Sequence, residues 1–273
     1  MAELLTVQDL TITHRQQPLV EGVHFTLKEK GCLGIVGESG SGKSLTCRAL
    51  INLLPKGIEA EGKVMFQEEN LLSLPNSRLR AIRGQDIAMI VQNPMTAFNP
   101  IFTIGHQLVE SLRTHKQLSK EQAKALIIES FKQLLLKDPE QILKKYPYEL
   151  SGGMLQRIVI SIAVLMQPKI IIADEPTTAL DSITQLEVIK VLQEVKQLLQ
   201  CGLITVSHDL GVISALAEDI LVMKKGQQVE YGTIDELFSN PKEAYTQHLF
   251  NTKFAISKKY NDMLGGLSTC SYK

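Results

Sequence analysis

The sequence predicts an α/β protein with a mainly parallel sheet, and three observations support this prediction. Short, continuously apolar segments such as Leu33–Val36 recur along the chain and are typical of strands that are buried on both faces. Segments with helical periodicity separate them, as in sheets built from strand–helix–strand units. A glycine-rich loop also follows Leu33–Val36 and precedes a predicted helix.

The first third of the chain is predicted to contain four strands and one helix. In the segment VHFTLK, apolar and polar residues alternate with the period of a half-buried strand. The helix follows the glycine-rich loop and is expected to end before Pro55 and Gly57. The predicted elements are strands at Val23–Lys28, Leu33–Val36, Lys63–Phe66 and Asp86–Val91 and a helix at Lys43–Leu54.

The middle of the chain is predicted to be helical. From about Pro94 to Met166 no segment has the pattern of a strand, which indicates a helical insert of about 70 residues. Ser119 and Gln122 match a capping box, and apolar residues follow them at helical spacing.

The last third returns to alternating strands and helices. Apolar residues recur at helical spacing between Val188 and Leu199. A closing hairpin is expected to turn at Lys225 and Gly226. The predicted strands are Lys169–Glu175 and Leu203–Ser207, followed by the two strands of the hairpin.

Composition excludes several functional classes. Hydrophobic residues make up 44% of the 273 residues and charged residues 21%, and the formal net charge is zero, so neither disorder nor a nucleic-acid-binding surface is predicted. The longest apolar run, Ile158–Met166, is about half of what a transmembrane helix needs, and the N-terminus lacks the pattern of a signal peptide. The four cysteines form no CxxC pair, as expected for reduced packing thiols in a cytosolic protein.

The loop GESGSGKS matches the phosphate-binding pattern GxxxxGK[ST]. Its backbone N–H groups and the following helix N-terminus can surround phosphate oxygens, while Lys43 contacts the outer phosphates and Ser44 a Mg²⁺ ion. A flexible Gly/Ser turn is the alternative. The predicted phosphate-binding residues are Gly37, Glu38, Ser39, Gly40, Ser41, Gly42, Lys43 and Ser44.

Two acids, Asp174 and Glu175, end a predicted strand. The C-terminal end of a parallel strand lies on the same side of the sheet as the phosphate loop, where Mg²⁺ needs a ligand. This favours Asp174 as a metal ligand and Glu175 as the group that polarises an attacking water. The alternative is that both acids only cap a helix.

Two further features gain meaning beside the phosphate loop. The turn Ser151–Gly153 opens a long apolar helix and can offer N–H groups to an anion, although it has no lysine. His208 follows a predicted strand; alone it could equally be a buried structural histidine.

Together these residues resemble the ATP-binding subunit of ABC transporters. GESGSGKS corresponds to its Walker A motif, Gln92 to the Q-loop, LSGGMLQ to the signature motif, IIIADE to Walker B, Ala179–Asp181 to the D-loop and His208 to the switch histidine. The resemblance implies a P-loop NTPase (RecA-like) core with an N-terminal antiparallel β subdomain and an inserted α-helical subdomain. It implies an ATP-binding domain at 1–250, with the helical subdomain at about 94–166, and a short polar tail at 251–273.

The resemblance also implies roles for individual residues. Catalysis is expected from Glu175, His208 and Gln92, and Mg²⁺ coordination from Ser44, Gln92 and Asp174. Two subunits pair head to tail in this family, so that the signature loop of one closes over the ATP of the other. Members usually stack an aromatic residue on adenine where this chain has His14. The further ATP contacts implied are His14, Ser151, Gly152, Gly153 and Asp181.

A subgroup can also be identified. Three segments resemble the ATPases of importers of di- and oligopeptides and of nickel: Gln92–Pro100, Thr103–Gly105 and PKEAYTQHL. Within this subgroup, the segment YPYELSGGMLQR is most similar to the first nickel-importer ATPase. The expected function is ATP-driven uptake of nickel or a related metal, with peptide import as the alternative and a soluble ABC-type ATPase as a third class. The expected partners are a second ATPase subunit, either a different chain or a second copy of this one, two permease subunits at the cytoplasmic face of the membrane and, indirectly, an extracytoplasmic solute-binding protein.

Overall fold

The computed structural model describes residues 2–178 and 180–252, and within them ten strands form one mixed sheet. The strand order across the sheet is β5-β4-β1-β2-β10-β9-β3-β8-β7-β6. The strands are β1 (Glu3–His14), β2 (Gln17–Lys28), β3 (Cys32–Gly37), β4 (Ile58–Phe66), β5 (Glu69–Asn70), β6 (Ile87–Ile90), β7 (Ile170–Asp174), β8 (Gly202–Val206), β9 (Asp219–Lys224) and β10 (Gln227–Thr233).

Helices cover both faces of the sheet and fill the middle of the chain. Two short 3-10 helices, Pro94–Ala97 and Pro147–Glu149, and a helix over residues 244–252 complete the described structure. The α-helices are α1 (Lys43–Leu50), α2 (Asn76–Ile82), α3 (Ile104–His115), α4 (Lys120–Gln133), α5 (Pro139–Ile142), α6 (Gly152–Met166), α7 (Ser182–Leu199), α8 (Leu210–Leu216) and α9 (Ile234–Ser239).

The parallel half of the sheet confirms the predicted fold class. Strands β9, β3, β8, β7 and β6 are parallel neighbours, and every residue of β3, β7 and β8 is buried. Burial on both faces explains why these strands have continuous apolar runs rather than alternating ones. Their carboxyl ends lie at one edge of the sheet, which is the edge that receives the glycine-rich loop.

The other half is antiparallel, with β1 paired to β2 and β4. Strand β1, whose bounds the sequence analysis did not give, has an irregular register between Val7 and Leu10, where Asp9 has a φ of 51°. This bulge places two exposed residues between buried ones and interrupts the two-residue period that would have identified the strand.

The helical insert between β6 and β7 has its own hydrophobic core. Residues from α3, α4, α5 and α6 form this core, and Phe131 and Ile127 lie fully buried in it. The predicted capping box of α4 is present, since the Ser119 hydroxyl accepts from the Gln122 N–H and the Gln122 side chain accepts from the Ser119 N–H.

Several predicted boundaries are corrected, and β2 and β4 begin earlier than predicted, at Gln17 and Ile58. The helix predicted to run to Leu54 ends at Leu50, because Asn52 takes a left-handed conformation with a φ of 49° and the backbone turns there. Strand β7 ends at Asp174, since Glu175 is also left-handed. Strand β6 is one residue shorter at each end than predicted.

Among the described residues, no helix is long and apolar enough to cross a membrane. The predicted polar tail at 251–273 lies almost entirely outside the described residues, as does Ala179 of the predicted D-loop.

Two neighbouring residues of α4 provide a test of the insert's core. Ile127 is fully buried, whereas Leu126 is 36% exposed. We expect Ile127→Ala to lower the free energy of unfolding by about 2–5 kcal/mol, because it leaves a cavity, and Leu126→Ala to change it much less. Urea unfolding measured by circular dichroism checks this, and equal losses for the two variants would contradict the packing described.

Candidate functional site

The glycine-rich loop leaves β3 at a point where only glycine fits. A Cβ added to Gly37 would lie 2.1 Å from the carbonyl oxygen of Met223 on the neighbouring strand. At the far end of the loop, Gly42 has a φ of 100° and a Cβ there would meet Val20 at 2.7 Å. Helix α1 begins at the next residue. The two glycines therefore let the backbone turn tightly into the N-terminus of a helix.

Lys43 folds back under this loop. Its side chain is buried, and Nζ donates hydrogen bonds to the carbonyl oxygens of Gly37 at 3.0 Å and Glu38 at 2.7 Å. The ammonium group is thus held close to the loop, where a bound phosphate would be attracted to it.

A cavity of about 280 Å³ lies over the loop. Its lining includes side chains that are far from the loop in the sequence. Gln92 and Glu175 were predicted to be site residues, whereas Leu19 was not. The lining residues are Leu19, Ser39, Gly40, Gly42, Lys43, Ser44, Leu45, Gln92 and Glu175.

Ser44 and Asp174 bring two side-chain oxygens together beside this cavity. The Ser44 hydroxyl donates to Oδ1 of Asp174 at 2.7 Å. Burial raises the pKa of Asp174, while the bond from Ser44 opposes that rise. In octahedral Mg²⁺ coordination, neighbouring oxygens lie about 2.9 Å apart, so the spacing and chemistry of this pair fit Mg²⁺. A cation here would also offset the cost of burying the carboxylate.

Glu175 lies at the centre of a small hydrogen-bond network. Its Oε2 accepts from Gln92 Nε2 at 2.9 Å and from the Thr178 hydroxyl at 2.7 Å, and Nδ1 of His208 lies 3.6 Å away. Its own backbone is held in the left-handed conformation by a hydrogen bond to Val206. The structure therefore brings together the three residues predicted to be catalytic and adds Thr178, which no motif had indicated.

The segment around His208 is tied to helix α7. Asp209 caps α8 by accepting from the Gly211 N–H at 2.8 Å, and its other carboxylate oxygen accepts from Gln185 Nε2 at 2.8 Å. Gln185 lies one turn into α7, and its N–H donates to the carbonyl of Asp181, the residue that caps this helix. Gln185 carries no sequence signal of its own, since its partner lies 24 residues further on.

His14 lies apart from the phosphate cavity. It ends β1 in an exposed turn near Gly57 and is not among the lining residues. Leu19, on the adjacent strand β2, lines the cavity instead and is 37% exposed. The prediction that His14 stacks on adenine remains a prediction.

Comparison with known proteins decides the family. The ABC transporter family model matches residues 20–178, which include the phosphate loop, Gln92, the Ser-Gly-Gly turn and the two acids after β7. The chain belongs to the ABC transporter family. The ATP-binding subunits of this family bind and hydrolyse ATP.

Individual relatives agree with this membership. The chain is 45% identical over 265 residues to the metal-staphylopine import system ATP-binding protein CntD of Staphylococcus aureus, covering 96% of this chain and 98% of that protein. It is 39% identical over 252 residues to the oligopeptide transport ATP-binding protein OppD of Bacillus subtilis, covering 90% and 70%. The dimeric post-hydrolysis structure of the cassette MJ0796 bound to ADP and Pi superposes with a TM-score of 0.75 and 26% identity, over 85% of this chain and 99% of that one.

The signature turn of this ABC cassette packs against α7. Ser151 caps α6 by accepting from the Met154 N–H at 3.3 Å and is exposed. Gly153 packs so closely on α7 that an added Cβ would lie 2.3 Å from a side-chain carbon of Thr184. None of the three residues Ser151–Gly153 lines the phosphate cavity.

A swap of donor and acceptor tests the contact between α7 and the His208 segment. We expect Gln185→Glu to lower kcat several-fold, because it places two carboxylates in contact and displaces this segment. Adding Asp209→Asn should restore much of the rate, since the amide of the new residue can donate to the new carboxylate. Steady-state ATPase rates of the parent, both single variants and the double variant measure this. If the double variant hydrolyses ATP no faster than Gln185→Glu, the contact between Gln185 and Asp209 does not position the His208 segment.

Proposed function

We propose that this chain is the ATP-hydrolysing subunit of an importer that takes up nickel or a related transition metal, free or as a chelate. The observation that carries the proposal is the match to the staphylococcal metal-staphylopine subunit over nearly the whole of both chains. The oligopeptide and dipeptide transport subunits of Bacillus subtilis are also similar, at 39% identity, but this chain spans 70% and 77% of their lengths. Peptide import is therefore the second candidate.

The signature motif itself does not choose the cargo. Leu155, which lies within the segment YPYELSGGMLQR that resembles the nickel importer, is fully buried in the core of the helical insert. A side chain in that position affects packing and cannot contact a transported solute. We infer that permease subunits and an external solute-binding protein select the cargo.

We infer the following division of roles in hydrolysis. The N–H groups of the loop and the ammonium of Lys43 hold the outer phosphates. Glu175 accepts a proton from the attacking water, and Gln92, Thr178 and His208 keep its carboxylate in place. Ser44 and Asp174 would hold Mg²⁺, joined by Gln92; the ion would neutralise charge on the phosphates.

The position of the signature turn supports a role across a dimer. Ser151–Gly153 lies against α7 and does not line the chain's own phosphate cavity, which would leave it available to the ATP of another subunit. We propose a second cassette, of a different sequence, as the partner. The pair would bind two permease subunits at the cytoplasmic face of the membrane.

Glu175→Gln tests the chemistry. The amide keeps the shape of the side chain but cannot accept the proton, so we expect kcat to fall by about 10²–10⁴-fold while ATP still binds. Glu194→Gln, an exposed site on α7, is the matched control and should hydrolyse ATP at the parental rate. Steady-state hydrolysis and nucleotide affinity are measured for both. If Glu175→Gln hydrolyses ATP with the parental kcat, Glu175 does not accept the proton from the attacking water.

Uptake in cells that depend on this chain tests the cargo. Lys43→Ala removes the cation from the phosphate loop and should abolish import energised by this subunit. We expect these cells to lose uptake of radiolabelled nickel or cobalt, supplied free and with a metal-chelating small molecule, and to retain uptake of labelled di- and oligopeptides. Loss of peptide uptake with metal uptake unchanged would establish the second candidate instead. Lys190→Ala, on the exposed face of α7, is the control.

A further inference from the structure

The helix over residues 244–252 follows α9 and lies beyond the part of the chain that the family model matches. It contains most of the segment PKEAYTQHL, to which the proposed mechanism assigns no role. Leu249 and Phe250 are buried in the main core, and Phe250 packs edge-on against Phe238. Upstream of the helix, the Glu230 carboxylate accepts from the N–H groups of residues 242 and 243. The helix is therefore firmly docked on the ATP-binding domain.

Tyr245 connects this helix to the phosphate loop. Its hydroxyl oxygen accepts a hydrogen bond from the Glu38 N–H at 3.4 Å. Its ring lies 4.4 Å from Nζ of Lys224, the last residue of β9. Burial raises the pKa of Tyr245. The cation above the ring fixes the orientation of the side chain.

The bond to Glu38 acts on a peptide group that also contacts Lys43. The N–H of Glu38 and the C=O of Gly37 belong to the same planar peptide and point in opposite directions. The N–H end is held by Tyr245 on the outside of the loop, and the C=O end accepts from Lys43 Nζ at 3.0 Å on the inside. A rotation of this peptide would break both hydrogen bonds together. Tyr245 and Lys43 are thus coupled through one rigid group.

We propose that Tyr245 is a positioning residue for ATP binding: it fixes the Gly37–Glu38 peptide so that the carbonyl holds the Lys43 ammonium at the phosphate site. This inference rests on the proposed role of Lys43. It assigns the C-terminal helix a function in nucleotide affinity, in addition to its packing.

Tyr245→Phe tests this inference, because it keeps the ring over Lys224 and removes only the acceptor oxygen. We expect the Kd and KM for ATP to rise by about two- to ten-fold, the range of a single net hydrogen bond, with kcat changed by less than about two-fold. Thermal stability should stay near the parental value, since the buried anchors of the helix are untouched.

Thr246→Val is the matched control. Thr246 is the next residue of the same helix and is buried; its hydroxyl has no hydrogen-bond partner among the described residues. We expect its affinity for ATP to equal that of the parent. Unchanged affinity in Tyr245→Phe, or an equal loss in Thr246→Val, would overturn the inference, since either result would leave the Tyr245 hydroxyl without a role of its own.

The Lys43→Ala background separates this inference from the proposed function. If Lys43→Ala binds ATP as the parent does, the role of Lys43 fails, and the inference on Tyr245 fails with it. If Lys43→Ala binds weakly, the proposed role stands, and adding Tyr245→Phe should lower the affinity by less than it does in the parent, because its target is already absent. A full additive loss in the double variant would contradict action through Lys43. Affinities are measured with a fluorescent ATP analogue.

Discussion

The carboxyl ends of three adjacent parallel strands, β3, β8 and β7, meet at one edge of the sheet, and this constraint places almost every group of the ATP site. The phosphate loop follows β3, Asp174 ends β7 with Glu175 directly after it, and His208 follows β8. This arrangement, together with the loop that leads from β3 into α1, brings the Ser44 hydroxyl within 2.7 Å of Oδ1 of Asp174, although 130 residues separate them. The full burial of these strands, which their apolar sequences provide, therefore also fixes the geometry of the polar site.

Because the site lies at the end of buried strands, some of its charged groups are themselves buried. Lys43 and Asp174 are both almost inaccessible to solvent, and each is held by polar partners: Lys43 by loop carbonyls and Asp174 by Ser44. The left-handed backbone of Glu175 is a further cost, and its hydrogen bond to β8 compensates in part. These local costs leave the polar groups oriented before ATP arrives, which lowers the reorganisation needed for catalysis.

What the sequence could predict depended on the range of the interactions. The phosphate loop, the capping box at Ser119 and the buried strands are local patterns, and the structure contains all of them. The bulge at Asp9 hid β1 because it broke the strand's period. No predicted role pointed to Thr178, Gln185 or Tyr245, and the partners of Gln185 and Tyr245 become visible only when distant segments meet. The prediction that α1 runs to Leu54 was wrong. The helix ends at Leu50, because the left-handed Asn52 interrupts a sequence that otherwise fits a helical pattern.

The two loops that can bind phosphate differ in structure, so that the second loop is complementary to the first. The first has its cation folded beneath it and opens into a cavity, while the second, Ser151–Gly153, has no cation and lies packed on α7. Helix α6, which begins at the second loop, shares a buried core with α7, and this packing would oppose closure of the second loop over the first within one chain. A second cassette can supply the missing loop with no such rearrangement. The same rigidity would let closure of the pair act on Glu175, since α7 contacts the His208 segment through Gln185 and Asp209. Hydrolysis would then depend on assembly through contacts already present in each subunit.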